Sequence, residues 1–228
     1  MTSKTGKYLV LDLDESLLRT SDSEDPKDTT SLENTKIMSN PKHYRIRKRL
    51  YMLDLVDVVD EKGSGVDTIM WGIYRNNLKE FLTFSQDYFE GIIIWSAGRH
   101  GYVHGVVEKM FLNMDDPYDI FTWDDCDIDP EDGLLTKPLR KIYEKHPRIN
   151  PKNCLVIDDK LSTFSENPNN GIHIPAYMPS EDIIEMMEND DRLMELIKWF
   201  EKPQVKNSKD VRRLKKDNIF RNFVPDNE

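Results

Sequence analysis

The reading of the fold turns on Tyr8-Leu9-Val10-Leu11-Asp12-Leu13-Asp14-Glu15-Ser16. Four apolar residues run without interruption into an alternation of acidic and apolar positions. A short apolar run of this kind fits a strand buried on both faces, as in the middle of a parallel sheet. Asp12 and Asp14 stand at i and i+2. In extended backbone they point the same way, while Leu11 and Leu13 point oppositely. The pattern recurs along the chain. Residues 92–95 (Ile-Ile-Ile-Trp) lead into Ser96, and residues 154–157 (Cys-Leu-Val-Ile) lead into Asp158 and Asp159. Residues 172–176 form a fourth apolar run. In an open parallel sheet, ligands bind beyond the carboxyl ends of the strands. The three polar endings are therefore expected to converge on one crevice.

Helical patterns fall between these runs. Residues 77–88 place Leu78, Phe81, Leu82 and Ser85 on one stripe, and residues 101–111 group Val103, Val106, Val107, Met110 and Phe111. A shorter helix is expected over 137–145, with Pro138 near its start, and another over 180–200, stopped by Pro203. Strands alternating with helices predict an α/β fold: a parallel sheet with helices on both faces. Two stretches interrupt it. Residues 19–41 read as a long polar loop, followed by an inserted β-hairpin with strands over 44–59 and 66–74 and a turn at 61–65. Residues 113–136 form a small acidic insert with nine carboxylates. One domain is expected over 1–203. Residues 204–228 carry seven basic and four acidic side chains and read as a basic, flexible tail.

The chain has 228 residues and a formal net charge of −10, with 38% hydrophobic and 32% charged residues. An acidic balance argues against nucleic acid as a partner over the whole surface. No apolar run approaches the roughly 20 residues of a membrane span, and the first residues show no secretory signal. Cys126 and Cys154 are too few for a disulfide framework and suit a reducing compartment. An intracellular protein, cytoplasmic or nuclear, is expected, with no membrane partner.

The strand-end residues carry the chemistry. A carboxylate beside a metal stays ionised and can act as a nucleophile, while a neighbour pushed toward its neutral form can act as an acid. Asp12 and Asp14 supply such a pair. Asp158 offers the oxygen ligand of a hard cation such as magnesium. Ser96 can hydrogen-bond a phosphate oxygen, and Lys137 can offset its charge.

In this order the residues resemble the haloacid dehalogenase superfamily. Asp12-Leu13-Asp14-Glu15-Ser16 is similar to its DxDx(T/S) first motif, Ser96 to the second, Lys137 to the third, and Asp158-Asp159 to the fourth. The Arg75-led helix, and Tyr88-Phe89-Glu90 continuing to Ser96-Ala97, resemble the small phosphatases of the RNA polymerase II carboxyl-terminal domain. The resemblance implies an HAD-like fold and a magnesium-dependent phosphatase acting on phosphoserine or phosphothreonine in a protein or peptide partner. It implies that Asp12 is the nucleophile and that Asp14 protonates the leaving alcohol and then activates water. It further implies that Asp12, the backbone carbonyl of Asp14, and Asp158 hold magnesium, while Ser96 and Lys137 bind the phosphoryl group. Ser16 and Asp159 are supporting residues. Ser16 stands where the family more often has Thr, and Asp159 where these phosphatases tend to have Asn. A small-molecule or nucleic-acid 3′-phosphatase on the same scaffold, and a non-catalytic adaptor, are the alternatives.

Other features read as structural. His100, His104 and Glu108 share a helical face, a spacing that suits zinc but more often marks a solvated or packed face. Arg75 reads as a surface charge. No GxxxxGK(S/T) and no strand-linked GxGxxG occurs, which leaves P-loop and dinucleotide readings without support.

Overall fold

A computed structural model describes residues 4–21, 44–56, 67–130, 133–179 and 189–221. In chain order its elements are β1 (Tyr8–Leu11), β2 (Leu18–Ser21), α1 (Tyr44–Arg47), β3 (Leu50–Val56) and β4 (Asp67–Tyr74). These are followed by α2 (Leu78–Tyr88), β5 (Gly91–Trp95), α3 (His100–Met110), β6 (Asp119–Phe121), β7 (Asp127–Ile128) and β8 (Leu135–Thr136). The chain continues through α4 (Arg140–Lys145), β9 (Cys154–Asp158), β10 (Gly171–His173), α5 (Arg192–Phe200) and α6 (Pro203–Lys206).

The central sheet is five-stranded and parallel, in the order β10-β9-β1-β5-β6. β1 lies in the middle, paired with β5 from Tyr8↔Gly91 and with β9 from Tyr8↔Cys154. Alternation along the strands sorts their side chains onto two faces. Leu9, Leu11, Ile92, Ile94, Leu155 and Ile157 belong to the larger core cluster, with Phe81 and Leu82 of α2, Val103 and Val106 of α3, and Leu196 and Phe200 of α5. Tyr8, Val10, Ile93, Trp95, Cys154 and Val156 belong to the other, with Leu139 and Ile142 at α4. Helices thus cover both faces, as the apolar runs require. Each large aliphatic side chain buried this way contributes about 1.5–3 kcal/mol.

The inserted sheet is antiparallel, in the order β2-β4-β3. It packs on α3 at Gly105, where an added Cβ would lie 3.3 Å from the Leu55 side chain. The hairpin is therefore present, with two differences from the sequence reading. Residues 44–47 form the helical turn α1 instead of the start of a strand. Leu18–Ser21, all but Leu18 assigned above to a loop, form a third strand because they pair with β4 from Leu18↔Tyr74 to Ser21↔Trp71. The expected hairpin turn at 61–65 and most of the 19–41 loop lie outside the described residues.

The acidic insert is more regular than its composition implies. It contains β6, which closes the edge of the parallel sheet against β5, and the small β7–β8 ladder. Two of its carboxylates are paired with cations of the next helix and its end. Asp119 pairs with Lys145 and His146, and Asp127 with Arg140 and Lys141. The expected fourth strand stops at His173 instead of residue 176, and α4 starts at Arg140, after Lys137 and Pro138. Of the helix expected over 180–200, the described part is α5; residues 180–188 lie outside the described residues.

The segment read as a tail is described as far as Arg221. Val205, Val211, Ile219 and Phe220 are buried in the larger core cluster. Lys7 Nζ donates to the Lys206 carbonyl at 2.7 Å, and the Val211 amide donates to the Lys152 carbonyl at 2.9 Å. Both contacts lie where β1 and β9 begin, at the pole opposite Asp12 and Asp158. Among the described residues no helix is long and apolar enough to cross a membrane.

Candidate active site

The site forms where β1, β5 and β9 end. β1 delivers Asp12, and the chain then turns within five residues. The Leu17 and Leu18 amides both donate to the Leu13 carbonyl, at 2.8 and 3.1 Å. Glu15 takes the left-handed conformation at φ 64° to close this turn. A non-glycine residue there is a cost of order 1–3 kcal/mol that surrounding contacts must hold in place. Here the Tyr177 amide donates to the Glu15 carbonyl at 2.6 Å, and the Glu15 carboxylate pairs with Arg19.

Lys137 follows β8, anchored by its own amide to the Thr163 carbonyl at 2.6 Å. Its ammonium donates to Asp12 Oδ1 at 2.6 Å and to Asp158 Oδ2 at 2.7 Å. All three side chains are buried. The Asp158 carboxylate also accepts the Lys160 amide at 2.9 Å through Oδ1. Ser96, at the end of β5, is buried; its amide donates to the Phe121 carbonyl and its Oγ accepts the Gly98 amide at 3.0 Å. Ser16 Oγ donates to Asp159 Oδ1 at 3.4 Å.

Carboxylate oxygens of Asp12, Asp158 and Asp159 lie within 4.8 Å of one another. Burial pushes the Asp12 carboxyl well up from its ordinary value; Lys137 opposes this and Asp158 adds to it. Burial, then Asp158, pushes Asp159 up to about 6. Burial alone would lower the Lys137 ammonium, but Asp12 and Asp158 outweigh it and hold Lys137 above the usual lysine range. The Lys137 ammonium therefore bonds two carboxylates, with Asp159 beside them. This all-oxygen donor set fits a hard divalent cation, whose charge would complete the neutralisation.

Asp14 is not part of this carboxylate cluster. Tyr102 Oη donates to Asp14 Oδ1, and Thr20 Oγ1 donates to the same oxygen at 3.3 Å. Burial raises the Asp14 carboxyl, with Tyr102 and Thr20 pulling it back.

The strand-end residues of the sequence reading thus meet at one pole: Asp12, Asp158 and Lys137 in direct contact, Asp159 joined to Asp12 and Asp158 in the carboxylate cluster, and Ser16 bonded to Asp159. Tyr102, Thr20 and Tyr51 were absent from that reading; Tyr102 follows the paired His100 on a helix, but nothing in its spacing reports a bond to Asp14. Arg75 is not a surface charge. It is 1% exposed, and it donates to the Ser16 and Pro175 carbonyls, each at 2.8 Å, and to Asp190 at 2.9 Å. His100 and His104 stack with ring centroids 4.0 Å apart on an exposed face.

Over residues 7–212 the sequence matches the NLI interacting factor-like phosphatase family. The chain belongs to this family. The match takes in every strand-end residue named above and runs into the segment read as a tail. Relatives of this phosphatase family include the ubiquitin-like domain-containing CTD phosphatase 1 of Danio rerio, 28% identical over 172 residues, 67% of this chain and 54% of that protein. The Homo sapiens protein of that name is 28% identical over 158 residues, 63% and 49% of the two chains. The chain spans about half the length of these curated relatives. Two solved structures share the fold. A variant of the fission yeast RNA polymerase II CTD phosphatase Fcp1, bound to beryllium fluoride, superposes with a TM-score of 0.57 at 20% identity, covering 86% of this chain and 50% of that one. A second structure of Fcp1 gives 0.57 at 17% identity, covering 93% and 59%. The expected α/β architecture, a parallel sheet with helices on both faces, is the observed one.

Proposed function

We propose that this chain is a magnesium-dependent phosphatase that hydrolyses phosphoserine or phosphothreonine in a protein through an aspartyl-phosphate at Asp12. The observation that carries the reading is the buried Lys137 ammonium bonded to both Asp12 and Asp158 at the ends of adjacent strands. Nucleophilic catalysis on a phosphate monoester needs an ionised carboxylate and positive charge for the phosphoryl oxygens; the Lys137 ammonium supplies that charge and, against burial, favours the ionised form of Asp12. Family membership, and relatives named as CTD phosphatases, support the substrate class.

In the first step an Asp12 oxygen forms a bond to phosphorus while the bond to the serine or threonine oxygen breaks. The electron pair goes to the departing oxygen, and Asp14 supplies its proton. In the second step Asp14 takes a proton from water, whose oxygen attacks phosphorus and releases phosphate and free Asp12. Lys137 and Ser96 bind the phosphoryl oxygens. Asp12 and Asp158, with the Asp14 carbonyl or Asp159, would hold magnesium, which supplies further charge neutralisation when bound.

The test is Asp12→Asn, assayed with magnesium on p-nitrophenyl phosphate and on a phosphoserine peptide. Turnover should vanish on both, and magnesium-dependent capture of beryllium fluoride should vanish with it. Wild-type turnover in this variant overturns the mechanism. The absence of both fluoride capture and turnover in the unchanged chain favours an adaptor.

A further inference from the structure

Three linked hydroxyls meet the Asp14 carboxylate, two directly and the third through Thr20, and they come from three elements. Thr20 lies on β2, Tyr51 on β3 and Tyr102 on α3. Thr20 Oγ1 lies 2.7 Å from Tyr51 Oη, within hydrogen-bond distance of Tyr102 Oη, and 3.3 Å from Asp14 Oδ1; Tyr102 Oη bonds Asp14 Oδ1 directly. Both phenols are buried. A phenol keeps its proton at neutral pH, so both are O–H donors. Three protons are then shared among four oxygens, of which only Asp14 Oδ1 cannot donate when ionised. The Tyr102 proton goes to Oδ1, the Tyr51 proton to Thr20, and the Thr20 proton onward toward Oδ1 or Tyr102. The inserted sheet supports this chain from behind, with Tyr51 stacked on Tyr74 at a centroid distance of 4.5 Å. Among the described residues no donor is directed at Asp14 Oδ2.

We infer that Tyr102 is a positioning residue which, with Thr20 and Tyr51, clamps Asp14 by Oδ1 and leaves Oδ2 to protonate the leaving oxygen of the phosphoester. This rests on the proposed phosphatase reading and assigns a task to the inserted sheet within it. The sheet orients the acid, and so couples proton delivery to the seating of the insert on α3. A carboxyl free to rotate would deliver its proton from a distribution of geometries, and general-acid catalysis depends on the proton lying within hydrogen-bond reach of the departing atom.

The experiment exploits the need for that proton. An alkyl oxygen leaves poorly without it, whereas p-nitrophenolate leaves as the anion. The value of kcat/KM reports the steps through departure of the leaving group, so it isolates the first half of the reaction. Tyr102→Phe and Thr20→Val each delete hydroxyl hydrogen bonds at nearly constant shape. In the full chain, each should lower kcat/KM on a phosphoserine peptide more than on p-nitrophenyl phosphate, the two losses differing by about tenfold or more. Equal losses on the two esters, or no loss on either, overturn the inference and reduce the cluster to a buttress between sheet and helix. Should Tyr102→Phe fail to fold, Thr20→Val carries the same test. Asp12→Asn run in parallel separates the two levels. Loss of turnover there with equal losses in the hydroxyl variants sinks the positioning role alone, whereas retained turnover there sinks the phosphatase reading itself.

Discussion

Lys137 donates to Asp12 across 2.6 Å in the interior, and the same ammonium reaches Asp158 at 2.7 Å. The two acids stand at the ends of neighbouring parallel strands, so sheet pairing itself sets the span that the lysine bridges. The lysine is held by a different segment, through its amide on Thr163. Charge balance in the site is therefore a property of the whole parallel sheet and of the connection from β8 to α4.

Removing that ammonium leaves buried carboxylates without a counter-charge. Lys137→Met is expected to cost about 3–5 kcal/mol of stability, the range for breaking a buried pair from one side. Urea unfolding at neutral pH measures it. The loss should shrink in acid, where the orphaned carboxylates take up protons.

Magnesium bound at the proposed site should stabilise the fold, by an amount that grows with the logarithm of its concentration above Kd. At a concentration of about 100 times its Kd, a ligand that binds only the folded state adds about 2.7 kcal/mol. Thermal scans of the unchanged chain with magnesium and with chelator should therefore differ. Asp158→Asn removes one carboxylate of the cluster and is expected to abolish the difference. An undiminished shift in that variant would place the cation elsewhere.

Arg75 ties the turn after β1 to two later segments, through the Ser16 and Pro175 carbonyls and Asp190. Lysine cannot reproduce a three-nitrogen fork. Arg75→Lys is expected to lose about 2 kcal/mol or more, since hydrogen bonds to charged groups contribute about 1.5–3 kcal/mol. Chemical denaturation measures the loss, and kcat should fall along with stability because Ser16 in turn holds Asp159.

The strand ends were legible because a strand buried on both faces must be written as an apolar run, and the first polar residue after it marks where the sheet opens. Asp12, Ser96 and Asp158 follow from that rule alone. Lys137 does not; its identification rested on spacing and resemblance. Arg75 looked like a surface residue because its partners come from Ser16, Pro175 and Asp190, and no local period reports such distances. β6 escaped notice because three residues, Asp119-Ile120-Phe121, are too few to show alternation. The segment after Gln204 hid its packing because Val205, Val211, Ile219 and Phe220 are irregularly spaced among exposed charges.

Gly72 shows how close the inserted sheet comes to the Asp14 hydroxyls. A Cβ at this position would lie 2.4 Å from the Tyr51 ring and hydroxyl and 2.7 Å from the Arg19 carbonyl. The carbonyl belongs to β2 and is fixed by the ladder with β4, so the ring must move and Tyr51 must part from Thr20. Gly72→Ala is expected to destabilise by about 1–3 kcal/mol, as overpacking does. It should also lower kcat/KM on a phosphoserine peptide in the same direction as Thr20→Val. Unaltered kinetics in a folded Gly72→Ala variant would separate Tyr51 from the reaction.

Acid stability should depend on Asp119 at the edge of the parallel sheet. Burial pushes its carboxyl up, but bonds from Lys145, His146 and the Ile120 amide together outweigh this and hold it below its usual value of 3.8. The folded state therefore binds the Asp119 proton less readily than the unfolded chain does. The stabilisation is fully present above the unfolded value of about 3.9 and is lost as pH falls through the lower folded value. Asp119→Asn keeps the side-chain oxygen that accepts from Ile120 but discards the charge. It should be less stable than the unchanged chain at pH 6, and the gap between them should narrow below about pH 4 as the unchanged chain is protonated. A gap that stays constant from pH 6 to pH 3 would show that the Lys145 and His146 bonds do not depend on the Asp119 charge.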